Sequence, residues 1–295
     1  MLSMSRGCIQ LCLYKDGKKS MNCKVILLTG NELRHEFFRK FIASDNQIKV
    51  LSTFCESEKG NLSQVVENET NNFLRLQHLN ARTITEIDFF GLYCDSIIDN
   101  SNPIFIEKGD INNSKLVDLI SSLNPDIIIS YGCSIIKSEL LNLFEGRFLN
   151  IHLGLSPYYR GSGTNFWPFV NKELQFIGTT FIYIDSGIDT GEIIHQIRAQ
   201  IFHNDNIHQI GNRLIKNSMI ECKQIIKCFS ELKRMPAINF DRNEERYYKK
   251  KDFTENAIKT AYYNIENGLV ENYLNEKKEL CNKYPIITNS IFEKL

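Results

Sequence analysis

Four short apolar runs, each cut off by a glycine or a polar turn, constrain this chain more than any other feature. They are "KVILLTG" (24–30), "QIKVLSTF" (47–54), "PDIIISYG" (125–132) and "RFLNIH" (147–152). Runs this short and this apolar predict strands buried on both faces. Between the first two, "NELRHEFFRKFIAS" places Leu33, Phe37, Phe38, Phe41 and Ile42 at helical spacing. A strand–helix–strand opening of this kind leads to a parallel α/β sheet. "PIFIE" (103–107) adds a strand, and helices follow at 113–123, capped by Asn113 or Ser114, and at 137–144. Two further strands are expected at 176–185 and 192–201, then a long amphipathic helix at 206–229.

The expected fold is therefore α/β: a Rossmann-like, mostly parallel sheet flanked by helices, with a small, mainly helical C-terminal extension. We divide the chain into an N-terminal extension (1–21), a catalytic domain (22–235) with a helical insertion at 61–100, and the C-terminal extension (236–295). Lys plus Arg equals Asp plus Glu at 35 each, so whole-chain charge carries no nucleic-acid footprint. No window has the length of a membrane span or the form of a secretory signal. Nine cysteines without a C-x-x-C or a Cys/His cluster predict reduced thiols, no metal and a cytoplasmic location. No G-x-G-x-x-G follows the first strand, which counts against a nicotinamide enzyme.

"FLNIHLGLSPYYRGSGTNFW" (148–167) sets Asn150 and His152 two residues apart at a strand end, where both point to one face. "DSGIDTG" (185–191) brings two carboxylates and two glycines into a tight turn after the next strand. An amide can donate to a developing oxyanion, an imidazole can move a proton, and a carboxylate can orient that imidazole. The other histidines, His35, His78, His195, His203 and His208, show no partner pattern in the sequence, and "KKK" at 249–251 reads as a solvated face.

"NIHLGLSPYYRG", followed 37 residues after His152 by "DTG", resembles the folate-dependent formyltransferase family, with its N-x-H element, Pro-x-x-R-G loop and D-x-G-x-D-x-G turn. The resemblance implies that Asn150, His152 and Asp189 are catalytic and that N10-formyltetrahydrofolate is the co-substrate. It further implies a pterin pocket at Ser134, Ile135, Ile136 and Leu141, with Asp185, Gly187 and Ile188 in the turn. One departure stands out: the serine that follows the histidine in the family's loop is Gly154 here, and the hydroxyl sits at Ser156.

Within that family the turn "TGNELRHEF" lacks the phosphate cradle of glycinamide ribonucleotide enzymes, and residues 236–295 are poor in strands for the β-barrel of tRNA enzymes. What remains resembles the sugar-nucleotide N-formyltransferases, which implies a small-molecule amine partner, a nucleotide-linked amino deoxysugar of surface polysaccharide (lipopolysaccharide) synthesis, with no nucleic acid or membrane partner. Arg34, Ser156, Tyr158, Arg160 and Trp167 are the expected substrate contacts. A formyltetrahydrofolate hydrolase, transfer to another small amine, and a catalytically silent folate-binding subunit stay open, as does a homodimer.

Overall fold

The computed structural model describes residues 22–57, 62–69, 73–185, 187, 190–235 and 244–292. The chain begins with strand β1 (Cys23–Thr29), helix α1 (Leu33–Ala43) and strand β2 (Ile48–Glu56). Helices α2 (Leu62–Glu67), α3 (Phe73–Glu86) and α4 (Leu92–Ser96) follow, the last two joined by a π-helical turn at Ile87–Gly91. Strand β3 (Pro103–Ile106), helix α5 (Ser114–Leu123), strand β4 (Ile127–Tyr131), helix α6 (Ser138–Leu143) and strand β5 (Phe148–His152) complete the first half. The second half has the short strand β6 (Tyr159–Gly161), α7 (Trp167–Asn171), β7 (Gly178–Tyr183), β8 (Ile193–Arg198) and α8 (Ile207–Lys227). The C-terminal segment supplies β9 (Arg246–Tyr248), α9 (Glu255–Glu266) and α10 (Leu269–Lys283).

Seven strands form one sheet in the order β3-β2-β1-β4-β5-β7-β8. The first five run parallel, and β7 and β8 pair antiparallel at the far edge. The apolar runs behave as their composition demands. Val25 and Leu27 face one layer while Ile26 and Leu28 face the other, and Ile127 and Ile129 alternate with Ile128 in the same way. One layer packs Phe37, Phe38 and Ile42 of α1 with Ile215, Met219, Cys222 and Ile225 of α8. The opposite layer packs Val117 and Ile120 of α5 with Leu140 of α6. Of the two residues offered as the cap of α5, Asn113 takes the role, its side chain accepting from the Lys115 amide. A capping box of Asn206 and Gln209 starts α8.

The chain leaves β1 toward one edge through β2 and β3, then returns to β4 on the other side of β1. That reversal opens a crevice beyond the carboxyl ends of β1 and β4, the expected ligand position in such sheets. Residues 62–67, 73–86 and 92–96 are helical, in line with the periodicity of the 61–100 stretch. The C-terminal segment is mainly helical, as expected, and adds one short strand. Its first described ordered piece is β9, paired in parallel with β6, so this segment is stitched to the loop that follows β5. The N-terminal extension lies outside the described residues.

Candidate active site

Asn150 and His152 stand two apart on β5, as strand alternation requires, and both line a cleft of about 750 Å³. The register of β4 against β5 sets Ser130 directly beside Asn150. The Ser130 hydroxyl donates to Asn150 Oδ1 at 2.9 Å. With its oxygen engaged, the amide keeps Nδ2 as a donor without a partner among the described residues. His152 is 6% exposed, and its Nε2 lies 2.9 Å from the Tyr159 carbonyl. A carbonyl only accepts, so Nε2 carries the proton, and proton exchange with the cleft falls to Nδ1.

The loop after β5 is built around this imidazole. A Cβ at Gly154 would stand 2.6 Å from His152 Nε2 and 2.7 Å from Thr164 Cβ. The departure at this position thus has a steric cause: the imidazole and Thr164 occupy the space a side chain would need. The Thr164 hydroxyl donates to the Leu153 carbonyl and closes the loop on itself.

The turn that carries the second carboxylate motif is held by its own first residue. Asp185 Oδ1 accepts from the Gly187 amide at 2.9 Å and from the Thr190 hydroxyl at 2.8 Å. Asp185 and Gly187 line the cleft, with the Asp185 carboxylate engaged in the turn. Ile188 and Asp189 lie outside the described residues.

Across the cleft, the 132–137 loop is fixed from behind. Glu56, at the end of β2, is 1% exposed and accepts from the Ser134 amide at 2.6 Å, the Gly109 amide at 2.9 Å and Lys108 Nζ at 3.0 Å. Asn112 adds two more ties, to the Ile135 carbonyl at 3.0 Å and from the Lys137 amide at 2.7 Å. Ser134, Ile135 and Ile136 all face the cleft, and Ile135 is 75% exposed. At the switch point itself, the His35 ring covers the turn glycine. A Cβ at Gly30 would meet that ring at 2.7 Å.

A model of the formyl transferase family matches residues 24–223. The chain belongs to the formyltransferase family. Among curated proteins it is 27% identical over 136 residues to methionyl-tRNA formyltransferase of Clostridioides difficile (strain 630), which covers 45% of this chain and 43% of that relative. The chain thus spans less than half the length of the curated relatives it matches. Its fold is similar to that of a sugar N-formyltransferase from Shewanella sp FDAARGOS_354, with a TM-score of 0.53, 19% identity and 78% of each chain covered. It is similar also to a 4-N formyltransferase from Francisella tularensis, with a TM-score of 0.52, 20% identity, and 82% of this chain and 87% of that one covered.

Several positions carried into this formyltransferase-family chain by motif spacing lie off the cleft. Leu141 packs in the sheet layer behind the 132–137 loop. Ser156 is 2% exposed; its amide donates to Thr180 Oγ1 at 3.0 Å and its carbonyl accepts from Gln196 Nε2 at 2.6 Å, so it braces β7 and β8. Tyr158 is buried in an aromatic group with Phe176 and Tyr284. Arg160 forms an ion pair with Glu245 and ties β6 to the C-terminal segment. Ser156 and Tyr158 are buried with the loop because their apolar neighbours Leu155 and Tyr159 must be buried.

Arg34 and Trp167 do line the cleft. Arg34 pairs with Glu32 and, at 2.8 Å, with Glu86. Trp167 donates from Nε1 to the Ser162 carbonyl at 2.8 Å and stacks on Tyr248, with ring centroids 4.0 Å apart and an interplanar angle of 8°. Lys249 and Lys250, expected to be only a solvated face, are exposed side chains at the rim of the same cleft. His78, His208 and Asn212 also line it, although nothing in their spacing marks them. Among the described residues no group of three His, Cys, Asp or Glu is placed to hold a metal ion, and no helix is long and apolar enough to cross a membrane.

Proposed function

We propose that the chain transfers a formyl group from N10-formyltetrahydrofolate to a primary amine, that of a nucleotide-linked amino deoxysugar. The observation that carries the reading is the Ser130–Asn150 pair beside His152: an amide donor and a tautomer-fixed imidazole share one cleft. In the reaction, the neutral amine attacks the formyl carbon and the formyl oxygen gains charge. Asn150 Nδ2 donates to that oxygen, a preorganised interaction realised in the transition state. The new C–N bond forms, the bond from carbon to N10 breaks, and the amine proton passes to N10 through His152 Nδ1, with Asp189 and water assisting the transfer.

The donor fits the 132–137 loop, whose exposed Ile135 and braced backbone suit a flat heterocycle read by main-chain groups. A nucleotide fits the opposite rim, where the Trp167–Tyr248 stack stands beside Lys249 and Lys250. His35 over Gly30 supports an acceptor other than a ribonucleotide phosphate held in the β1 turn. The deciding experiment incubates the chain with N10-formyltetrahydrofolate and a panel of UDP- and dTDP-linked amino sugars, with glycinamide ribonucleotide and charged initiator tRNA as controls. Gain of one formyl group on a nucleotide sugar by mass spectrometry, lost in His152→Ala, is the expected result. Formate release without acceptor, or formylation of a control alone, would overturn the reading.

A further inference from the structure

Two amide side chains in the cleft wall have no hydrogen-bond partner among the described residues. Both amide atoms of Asn165 and the Nδ2 of Asn212 are shielded from solvent and unpaired. Asn212 is 3% exposed, yet it lines the cleft. Burying an unpaired donor destabilises a fold, so folding alone gives no reason for an amide here.

The surroundings of Asn212 supply one. It lies on α8 with His208, Gly211 and Ile215, and all four face the cleft at the spacing that puts residues on one side of a helix. A Cβ at Gly211 would meet nothing within 4 Å. Glycine inside a helix is less favourable than alanine, and here no neighbouring atom demands it. Its missing methyl leaves a notch over the helix backbone, next to the unpaired donor. The Tyr262 hydroxyl bridges His208 Nε2 at 3.4 Å and His78 Nδ1 at 3.2 Å, with the two imidazole rings 4.6 Å apart. Burial pulls His78 down to about 3 and His208 to about 4, so both are neutral near pH 7. Arg82 and Glu86, whose charges act on His208, face each other at 3.5 Å. The side chains of His78, His208, Asn165 and Asn212 are polar but uncharged, which suits hydroxyls and amide carbonyls rather than phosphate. Its position is also fixed: Asn165 adjoins Thr164, whose hydroxyl closes the loop that packs on His152.

We propose that His208, Gly211 and Asn212 of α8, with Asn165 of the loop after β6, form a subsite for an uncharged hydroxyl- or acetamido-bearing part of the acceptor. Gly211 admits the group and Asn212 Nδ2 donates to it. This deepens the proposed function and rests on it, since a sugar ring carries those groups while the nucleotide supplies the charge.

The test compares wild type, Gly211→Ala and Asn212→Leu in formyl transfer from N10-formyltetrahydrofolate to UDP- and dTDP-linked 3-amino and 4-amino deoxysugars, with thermal melts of each protein. Both variants should raise the acceptor KM by about tenfold or more and leave the donor KM unchanged. Neither should lower Tm, because one replaces a helix glycine and the other removes an unpaired buried amide. An acceptor KM equal to that of wild type in both variants would overturn the subsite. So would a loss of activity matched by a fall in Tm, which marks a structural role. If wild type formylates no nucleotide sugar, the acceptor reading itself fails and the subsite falls with it.

Discussion

At the scale of single residues, the site depends on which atom each side chain has already committed. Ser130 commits Asn150 Oδ1, and the Tyr159 carbonyl commits His152 Nε2. Asn150→Ala should lower kcat by about 10²–10³, on the order of 3–4 kcal/mol, with little change in acceptor KM. Ser130→Ala should cost about tenfold in kcat, because the amide loses the bond that selects its orientation. Steady-state kinetics distinguishes the two effects, and equal losses would argue against a merely orienting role for Ser130. Gly154→Ser restores the residue common in the family, but its Cβ would stand 2.6 Å from His152 Nε2. It should lower stability by about 1–3 kcal/mol in a denaturant titration and reduce kcat as the imidazole shifts. Asn150 and His152 were legible in the sequence because a strand's period of two places them together. Ser130 was not legible, since its partner is 20 residues away and only the β4–β5 register brings them side by side.

At the scale of elements, the carboxyl ends of the strands act through the loops they hold. Glu56 looks in sequence like the polar end of an apolar strand, yet it binds the backbone of two loops at once. Glu56→Gln keeps the shape but loses the charge and acceptor capacity that serve the Ser134 and Gly109 amides and Lys108. We expect the KM for N10-formyltetrahydrofolate to rise by about tenfold while acceptor KM stays unchanged, with Tm lower by a few degrees. The same lesson applies to the loop after β5. Motif spacing carried Ser156, Tyr158 and Arg160 toward the substrate, but the loop's packing turned them to β7, the aromatic group and Glu245. Spacing along a chain specifies order; it does not specify which side of a loop faces the cleft.

At the scale of the whole molecule, the C-terminal segment is bound back onto the sheet edge by groups that must stay neutral. His195 of β8 accepts the Asn289 amide at Nδ1, at 3.2 Å, and the Gln196 side chain accepts the Ile287 amide at 3.0 Å. Burial draws His195 down to about 4. A histidine held neutral in the folded chain binds fewer protons than the unfolded chain between that value and about 6.5, so stability rises with pH across this window. It is fully present above about 6.5 and is lost as pH falls toward 4; His195 alone accounts for about 2 kcal/mol by pH 5. Thermal melts from pH 8 to pH 5 should show this decline together with that of His78 and His208, and His195→Gln, which can still accept but does not titrate there, should make it shallower. A variant with the wild-type slope would remove His195 from the explanation. By itself the sequence determined the layered α/β fold and the Asn-x-His element, because strand burial and strand period are local properties of a few consecutive residues. Tertiary structure alone decided that β9 pairs with β6, that His78, His208 and Asn212 meet in one wall, and that Gly211 leaves a notch beside them. The β6–β9 pairing and the approach of His78 to His208 join residues dozens to over a hundred positions apart, and only packing, which selects one arrangement of the elements, brings them within reach.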